Sequence, residues 1–443
     1  MRRRTQGIII VDILLALALS AVYIAILGDI SENARDTYAR AAELSHELDR
    51  YGEGAATTSS RAYGNDRLEY TDTVGSLAFT RVSAKTIFSA STPLCSVGMN
   101  STAAIGSYAY AEPRLSMSLT ITPVIVPVDP LLPLTSLQVR GGLAYISADS
   151  SKASDPDFLV FDIADGAHPH LLASINTGPG ISDFALMNRY VFAAADSTAA
   201  ELHIMYMNSP GSVSLVKKFR LQLPFASATP PVGSAIAVDR NTAYLGTTKW
   251  DGAEFNAIDI TDPANPIEIG SFETGSKIRA IFVDNGYAYM ADADQYELRV
   301  VNVSDPGSPR LAASFAPSGW QRQEGATVSL FEGALSFGRT SGGFDIPSDA
   351  EAFTWDASST QRLESPISLN VPGGVYGLAR DRAHLYLATR QVNRELQIFD
   401  TALSTSTMAP FSLPVAPQSL VCDNNTLYVL AATAPVIYEI RFN

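Results

Sequence analysis

The chain has 443 residues, of which 46% are hydrophobic and 17% charged, so it can bury a core and is not disordered as a whole. Its 45 acidic residues outnumber its 31 basic ones, and the resulting net charge of −14 argues against nucleic-acid binding, which needs a basic surface. Two cysteines and five histidines are too few for a disulfide scaffold or a clustered metal centre, so we expect neither a metal nor another cofactor.

The N-terminal segment has the features of a membrane-spanning helix. Residues 8–27 contain one charged residue, Asp12, and would form a helix roughly 30 Å long. Three arginines precede this run, so the positive-inside rule places the N-terminus in the cytoplasm and the rest of the chain outside it. Apolar residues continue at helical spacing, which predicts one long helix over residues 8–50 whose first half spans the membrane.

The opening sequence MRRRTQG followed by IIIVD resembles the N-terminus of type IV prepilins and pseudopilins. The resemblance implies a leader over residues 1–7, cleavage after Gly7 by a prepilin peptidase, and Ile8 as the new N-terminus. Asp12 then becomes the fifth mature residue, and its carboxylate can neutralise the new α-amine of the same or a neighbouring subunit. The family usually has glutamate there and a later proline where this chain has Asp29. An uncleaved signal anchor is the alternative.

Residues 51–116 are predicted to form a small β-rich segment. Short runs such as SLAFTRVSA and GSYAYAE indicate three or four strands separated by turns. The pilin resemblance implies that this meander packs on the exposed half of the helix. Cys95 lies between two of the runs, and the spacing does not establish whether it pairs with Cys422.

The remaining residues, 117–443, contain a repeat of roughly 47 residues. Each unit has four short runs, which is the pattern of a β-propeller blade. The second runs are aligned on Tyr145, Val191, Tyr244, Tyr289, Ser336, Tyr386 and Tyr428. The motifs AIDITDPANPIEI and RVVNVSDPGSPRL resemble the LVIVD-type propeller repeat. The predicted fold class is therefore mainly β: a long N-terminal α-helix, a small β-meander and a C-terminal seven-bladed β-propeller, with six or eight blades as open alternatives.

The last repeat is one strand short, which predicts that another segment completes its sheet. The run SLTITPVIV at residues 118–126, just before the first unit, is a suitable strand. Pro123 suits the outermost position in a sheet, where its missing N–H costs no ladder hydrogen bond.

No catalytic motif is evident in the sequence, so we expect a binding protein rather than an enzyme. We interpret Asp292, Asp294 and Glu297 as part of an ordinary turn, because the complete calcium-loop pattern is missing. A polar residue that ends the third run of a unit is interpreted as a turn former, as at Asp162, Asp259, Asn302, Asp356 and Asp400. Candidate positions for binding a partner are tryptophans in or near loops, with core packing as the alternative: Trp250, Trp320 and Trp355.

These features predict a minor pilin or pseudopilin of a type IV pilus or a related secretion system. It would cross the inner membrane once and carry its propeller outside the cytoplasm, or on a pilus surface. Its partners would be other pilin-like subunits along the N-terminal helix and a protein or glycan at the propeller, as in adhesion. The alternatives are a membrane-tethered scaffold without a filament role and, less favoured, a propeller enzyme. The runs nearest the propeller axis are mostly apolar or small, unlike a charged catalytic channel: SLQV, DFALM, AIAV, AIFV, VSLF, GLAR and SLVC.

Overall fold

The computed structural model describes residues 67–74, 77–84 and 119–442, with gaps in the last range. The gaps are at residues 151, 153, 223–228, 294–296, 316–322, 332–333, 342–347, 357–361, 364–366, 372, 382–383, 401–409 and 424–425. All regular structure within these described residues is β-strand. A first hairpin pairs Arg67–Val74 (β1) with Leu77–Ala84 (β2).

The next described strand, Leu119–Ile125 (β3), precedes a series of antiparallel sheets. Four sheets contain four consecutive strands each, paired in chain order. The strands of the first sheet are Leu134–Arg140 (β4), Leu143–Ala148 (β5), Phe158–Asp162 (β6) and His170–Ile175 (β7). Those of the second are Ile181–Met187 (β8), Tyr190–Ala195 (β9), Leu202–Ser209 (β10) and Ser212–Phe219 (β11).

The third and fourth sheets repeat this arrangement, and the fifth and sixth depart from it. The third contains Gly233–Asp239 (β12), Thr242–Thr247 (β13), Phe255–Asp259 (β14) and Ile267–Phe272 (β15). The fourth contains Ile278–Asp284 (β16), Tyr287–Asp292 (β17), Leu298–Asn302 (β18) and Arg310–Phe315 (β19). The fifth contains Gln323–Phe331 (β20), Ala334–Ser341 (β21), Ser348–Asp356 (β22), Arg362–Leu363 (β23) and Ile367–Val371 (β24). The sixth contains Val375–Arg380 (β25), His384–Thr389 (β26) and Leu396–Asp400 (β27).

The closing sheet combines the two ends of this region. Its strands are Pro417–Asp423 (β28), Thr426–Ala431 (β29), Val436–Phe442 (β30) and β3. The pairing of β3 with β30 runs from Leu119 opposite Phe442 to Ile125 opposite Val436. The prediction that a strand before the first repeat completes the last sheet is therefore confirmed.

The first strand of each sheet contacts the first strand of the next, from β4 and β8 around to β28, and β28 contacts β4. This closed ring of first strands makes the domain a β-propeller. It confirms that the runs predicted to lie nearest the axis do so. The hydrophobic core is divided into clusters between neighbouring sheets. For example, Phe158 packs edge-on against Phe184 between the first two sheets, with centroids 5.2 Å apart.

Tight hairpins connect the first and second strands of these sheets. Their turn residues have positive φ, at 57° for Gly141, 54° for Asn188 and 48° for Asn285. Such angles fit the twist of two-residue β-hairpins, and glycine and asparagine tolerate them best. The sequence GG, NR or NG at these positions therefore determines where each hairpin reverses.

In the two most regular repeats a DP-x-x-P turn, at residues 262–266 and 305–309, links the third and fourth strands and packs on the preceding sheet. Asp259 Oδ1 accepts a hydrogen bond from Thr261 N at 2.9 Å, and Asn302 Oδ1 accepts one from Ser304 N at 3.0 Å. The turn of the fourth sheet lies so close to Gly270 of β15 that a Cβ there would collide with Pro306 O. These turns form as predicted, and they also cover an outer strand edge that would otherwise be open to another chain.

A buried acid immediately before the third strand stabilises several sheets. Glu254 Oε2 accepts hydrogen bonds from Thr274 N, Thr274 Oγ1 and Gly275 N at 2.9–3.1 Å. Asp157 binds Thr177 and Gly178 in the same way, and the corresponding residues elsewhere are Glu201, Glu297 and Glu395. Each carboxylate that binds backbone N–H groups fixes the loop leading to the next sheet, since it satisfies donors that would otherwise be buried without partners.

The predicted fold class needs correction. Seven equal four-stranded blades are not what the described residues form: six sheets consist of consecutive strands only, and the remaining sheet depends on β3. Among the described residues the fifth sheet has five strands and the sixth has three, with an isolated antiparallel bridge between Leu396 and Phe411 beside the last of these three. The described residues contain no helix, and therefore no helix that is long and apolar enough to cross a membrane. The predicted helix over residues 8–50 lies outside them.

The hydrogen-bond pattern of β3 predicts opposite effects of proline at adjacent positions. Val126 N donates to Pro435 O at 2.9 Å, so even-numbered N–H groups of β3 face β30 and Pro123 lies on the outward alternation. We expect Thr122→Pro to lower the free energy of unfolding by about 1–3 kcal/mol, because it removes a ladder donor and leaves an acceptor unpaired. Urea denaturation measures this change.

The matched control is Pro123→Ala, which restores an outward N–H and should leave the urea midpoint nearly unchanged. Equal destabilisation by both substitutions would contradict the register of ring closure.

Candidate functional site

The first strand of every sheet in the ring carries a β-bulge at the same place. The register shifts by one residue between Leu134 and Ser136 in β4 and at the corresponding point of the other first strands. The bulged side chains turn toward the next sheet. Thr135 Oγ1 donates to Ile181 O, and Ser234 Oγ donates to Ile278 O, both at 2.6 Å. The bulges thus join neighbouring sheets around the axis.

Charged side chains collect where these first strands begin. We call this end of the ring the loop-end mouth and define it by Asp149, Asp196, Lys277, Arg279 and Glu324. The first two follow β5 and β9, and their N–H groups bond to Pro133 O and Gly180 O. The other three lie at the starts of β16 and β20, where Arg279 forms an ion pair with Glu324. A rigid ring therefore presents acids and bases from four different sheets at one end.

Three of these charges influence one another without direct contact. Partial burial and the neighbouring Asp196 raise the pKa of Asp149, while Lys277 opposes that rise. Desolvation and then Arg279 lower the pKa of Lys277, although Asp196, Glu324 and Asp149 act in the other direction. The side chains of Asp149, Asp196 and Lys277 are exposed. Within the described part of the chain they form no hydrogen bond or ion pair. They remain available to a ligand.

Asp183 lies directly after the bulge of β8, further along that strand from the loop-end mouth. Its Oδ1 accepts from Ser136 Oγ at 3.0 Å and its Oδ2 accepts from Ile236 N at 3.1 Å, so it links β4, β8 and β12. The corresponding residues of the other first strands are uncharged and small: Ser136, Ala235, Ala280, Thr327, Gly377 and Ser419. Burial raises the pKa of Asp183 to about 6.

Among the tryptophans singled out from the sequence, the structure describes the side chain of Trp250, in the loop after β13. Trp250 is only 7% exposed, and its indole Nε1 donates to Ala253 O at 3.1 Å within its own loop. This burial agrees with the alternative of packing, since the indole ring packs against Gly252. Trp320 and the side chain of Trp355 lie outside the described residues, as do Gly7, Ile8 and Asp12.

Two residues of the acidic stretch, Asp292 and Glu297, form buried ion pairs. Asp292 Oδ2 accepts from Arg299 Nη1 at 2.5 Å, and Glu297 Oε2 lies 3.4 Å from Arg339 Nη1 on the fifth sheet. Asp294 lies outside the described residues. Among the described side chains, no three His, Cys, Asp or Glu residues converge on a position suited to a metal ion.

Sequence reasoning named none of the residues of the loop-end mouth individually. The sequence indicates two of them, because Asp149 and Asp196 end the similar stretches YISAD and FAAAD in neighbouring repeats. The strand pairing aligns Tyr145 with Phe192 rather than with Val191, and only this register makes the two aspartates equivalent. Lys277, Arg279 and Glu324 have no such signal, since they come together through contacts between sheets.

Comparison with known proteins finds a matching repeat family and solved structures with a similar fold. Residues 235–274 and 276–316 match the LVIVD repeat family. No curated protein matches the chain. A catalytically inactive virginiamycin B lyase from Staphylococcus aureus has a similar structure, with a TM-score of 0.53 and 13% identity over 73% of this chain and 99% of that one. Raptor from Chaetomium thermophilum gives a TM-score of 0.53 and 12% identity over 74% of this chain and 29% of its own. At these identities the likeness concerns the fold alone.

The raised pKa of Asp183 makes the effect of its removal dependent on pH. Its folded-state pKa of about 6 exceeds the ordinary value of 3.8, so its contribution to stability is complete below pH 3.8 and is lost as the pH rises through 6. We expect the stability of Asp183→Asn relative to the wild type to increase between pH 4 and pH 7, by on the order of 2 kcal/mol. Urea denaturation at several pH values measures this difference.

Asp305→Asn is the control, because Asp305 is an exposed turn residue and asparagine can accept the same hydrogen bond. Its stability relative to the wild type, measured at the same pH values, is the baseline for the comparison. A stability difference for Asp183→Asn that stays constant from pH 4 to pH 7 would rule out a raised pKa.

Proposed function

We propose that this protein is an interaction scaffold whose β-propeller binds another protein at the loop-end mouth. The observation that carries this proposal is the set of exposed charges at Asp149, Asp196 and Lys277, which are held on a rigid ring and make no hydrogen bond or ion pair among the described residues. Rigid scaffolds that present polar groups on loops are typical of binding proteins. Binding rather than catalysis is proposed, and a glycan ligand is the second possibility for this face.

Display outside the cytoplasm is part of the proposal. It is supported by the apolar run at residues 8–27 and by the arginines before it. Cys422 is buried and disulfide-bonded, and stable disulfides are typical of oxidising compartments.

The more specific proposal is that the protein is a minor pilin or pseudopilin of a type IV pilus or a related secretion machine. It is supported by Gly7, Ile8 and Asp12, which match the cleavage site and the acidic position of that family. Prepilin peptidase would process the chain, and the N-terminal helix would pack against other pilin-like subunits in the inner membrane. The alternative is a signal-anchored scaffold with the same propeller and no filament role.

N-terminal sequencing of the protein extracted from membranes tests the processing step. We expect the mature chain to begin at Ile8 when prepilin peptidase is present and at Met1 in cells that lack the enzyme. A mature chain that begins at Met1 in both strains would remove the pilin assignment and leave the anchored scaffold.

Asp12→Ala tests whether the helix assembles with other subunits. A carboxylate in an apolar environment is costly unless it is paired, so its removal should preserve membrane insertion but reduce co-purification with pilin-like subunits at least tenfold. Asp29→Ala is the matched control, because Asp29 lies beyond the apolar run. Unchanged co-purification of Asp12→Ala would favour the scaffold without a filament role.

A further inference from the structure

A position that carries an aspartate in the first two sheets carries an arginine in the sixth. After the second strand of each of these sheets, one backbone N–H donates to a carbonyl group shortly before the first strand, as for Asp149 and Asp196. In the sixth sheet Arg390 N donates to Gly373 O at 3.3 Å. Arg390 is exposed, and this equivalence places it at the same end of the ring as the loop-end mouth.

The guanidinium group of Arg390 is held against two sheets. Its Cζ lies 3.6 Å from the centre of the Tyr376 ring, which comes from the bulge of β25. Its Nη2 donates to Gln418 Oε1 at 2.8 Å and its Nε donates to Pro417 O at 3.3 Å, both at the start of β28 in the closing sheet. Among the described residues, Arg390 Nη1 has no hydrogen-bond partner. The guanidinium is thus held in one position, and the N–H groups of Nη1 are left for a ligand.

The turn after β26 holds an apolar side chain in solvent. Val392 lies in the middle of this turn and is 77% exposed. Thr389 Oγ1 donates to Arg394 O at 2.8 Å, which ties the two ends of the turn together. The buried Glu395 accepts a hydrogen bond from Asn393 N at its Oε1, at 3.0 Å. Because these hydrogen bonds fix the backbone of the turn, the Val392 side chain stays outside the core, and its burial against a partner would be favourable.

The most exposed large hydrophobic side chains of the described residues all lie at this end of the ring. They are Leu131 at 80%, Val392 at 77% and Ile125 at 64%. Ile125 ends β3 beside the turn between β29 and β30, and Leu131 lies in the link from β3 to β4. The closing sheet, to which β3 belongs, contacts both the sixth sheet and the first. Exposed apolar side chains at the same end as a fixed arginine are typical of an interaction surface, since arginine is enriched at protein–protein interfaces.

We propose that this part of the ring binds a polypeptide segment that combines an acidic residue with aliphatic side chains. We call it the arginine site and define it by Tyr376, Arg390, Val392 and Gln418. A carboxylate of the partner binds Nη1 of Arg390, and an aliphatic side chain packs against Val392. A fixed, planar guanidinium suits a carboxylate, because the hydrogen bonds are charge-assisted and little conformational entropy is lost on binding. The inference rests on the proposed binding function and specifies the chemistry of the partner.

Other ligand classes fit this arrangement less well. An anionic lipid surface or a nucleic acid would bind Arg390, but it would also meet Asp149 and Asp196 at the same end and a chain of net charge −14. A neutral glycan has no charge for Arg390, and an acidic glycan has no aliphatic side chain to cover Val392. A polypeptide provides a carboxylate and aliphatic side chains within a few residues of each other.

Fluorescence anisotropy with the full-length protein in nanodiscs of zwitterionic lipid tests the inference. Three labelled peptides share the same glycine–serine flanks. The central run of the first is glutamate, leucine, aspartate and leucine; the second has both acids replaced by their amides, and the third has both leucines replaced by serine. We expect the first peptide to bind at least tenfold more tightly than either of the others, and raised salt to weaken its binding.

Variants locate the binding. Arg390→Gln removes the guanidinium and should weaken binding of the first peptide at least tenfold. Val392→Ser should weaken it at least threefold at an unchanged melting temperature, since this side chain lies outside the core. Arg310→Gln and Ile267→Ser are the matched controls, because both side chains are exposed on outer strands, β19 and β15. Both controls should leave the affinity unchanged.

Binding that survives Arg390→Gln, no preference for the first peptide, or no binding of any peptide would overturn the inference. Weaker peptide binding in nanodiscs that contain phosphatidylglycerol, or displacement of the peptide by oligogalacturonate at a lower concentration than by unlabelled peptide, would overturn it in favour of a lipid or a glycan. The double variant Asp149→Asn and Asp196→Asn separates this inference from the proposed function. Peptide binding that depends on these aspartates and not on Arg390 would support binding at the loop-end mouth and remove the arginine site.

Discussion

The propeller depends on the pairing of β3 with β30. A sheet left at three strands would expose the backbone N–H and C=O groups of β30, which could then pair with another chain. It would also remove Val124 and Val126 from the hydrophobic cluster between the closing sheet and the first sheet. Closure therefore provides hydrogen bonds and apolar burial together. Because β3 precedes the first repeat, the propeller is completed only when sequence positions more than 300 residues apart have paired.

Within the ring, three kinds of local interaction stabilise the contact between neighbouring sheets. The bulges of the first strands bring Thr135 and Ser234 within hydrogen-bonding distance of the next sheet. Buried acids such as Glu254 fix the loops that lead from one sheet to the next. The DP-x-x-P turns cover the outer strands of the preceding sheet, as at Gly270. The inner, middle and outer parts of each junction are thus stabilised by different interactions, and the mouth is rigid as a result.

The sequence was sufficient to predict the features that depend on local patterns. The strand alternation, the turn residues Asp259 and Asn302, and the suitability of Pro123 for an outermost strand all follow from short stretches of the chain. The sequence could not predict the five strands of the fifth sheet or the three of the sixth, because their repeats have lost the pattern. It also left open whether Trp250 is exposed or packed, since a loop residue can be buried by its own loop.

The loop-end mouth was beyond sequence reasoning for a physical reason. Its charges come from four sheets, and their proximity results from the curvature of the ring, which no single repeat encodes. Asp183 illustrates the same limit: it occupies a position that is small and uncharged in the other first strands, yet it links three of them. The function proposed here follows from this geometry, in which a closed ring presents acids and bases from four sheets at one end.

Amide hydrogen exchange of β3 tests ring closure most directly. If β3 completes the last sheet, the amides of Thr120, Thr122 and Val124 should exchange as slowly as those of β29, whereas the amides of Leu119 and Ile121 should exchange much faster because they face outward. Uniformly fast exchange along β3 would contradict the closed ring and with it the rigid mouth on which the proposed function depends.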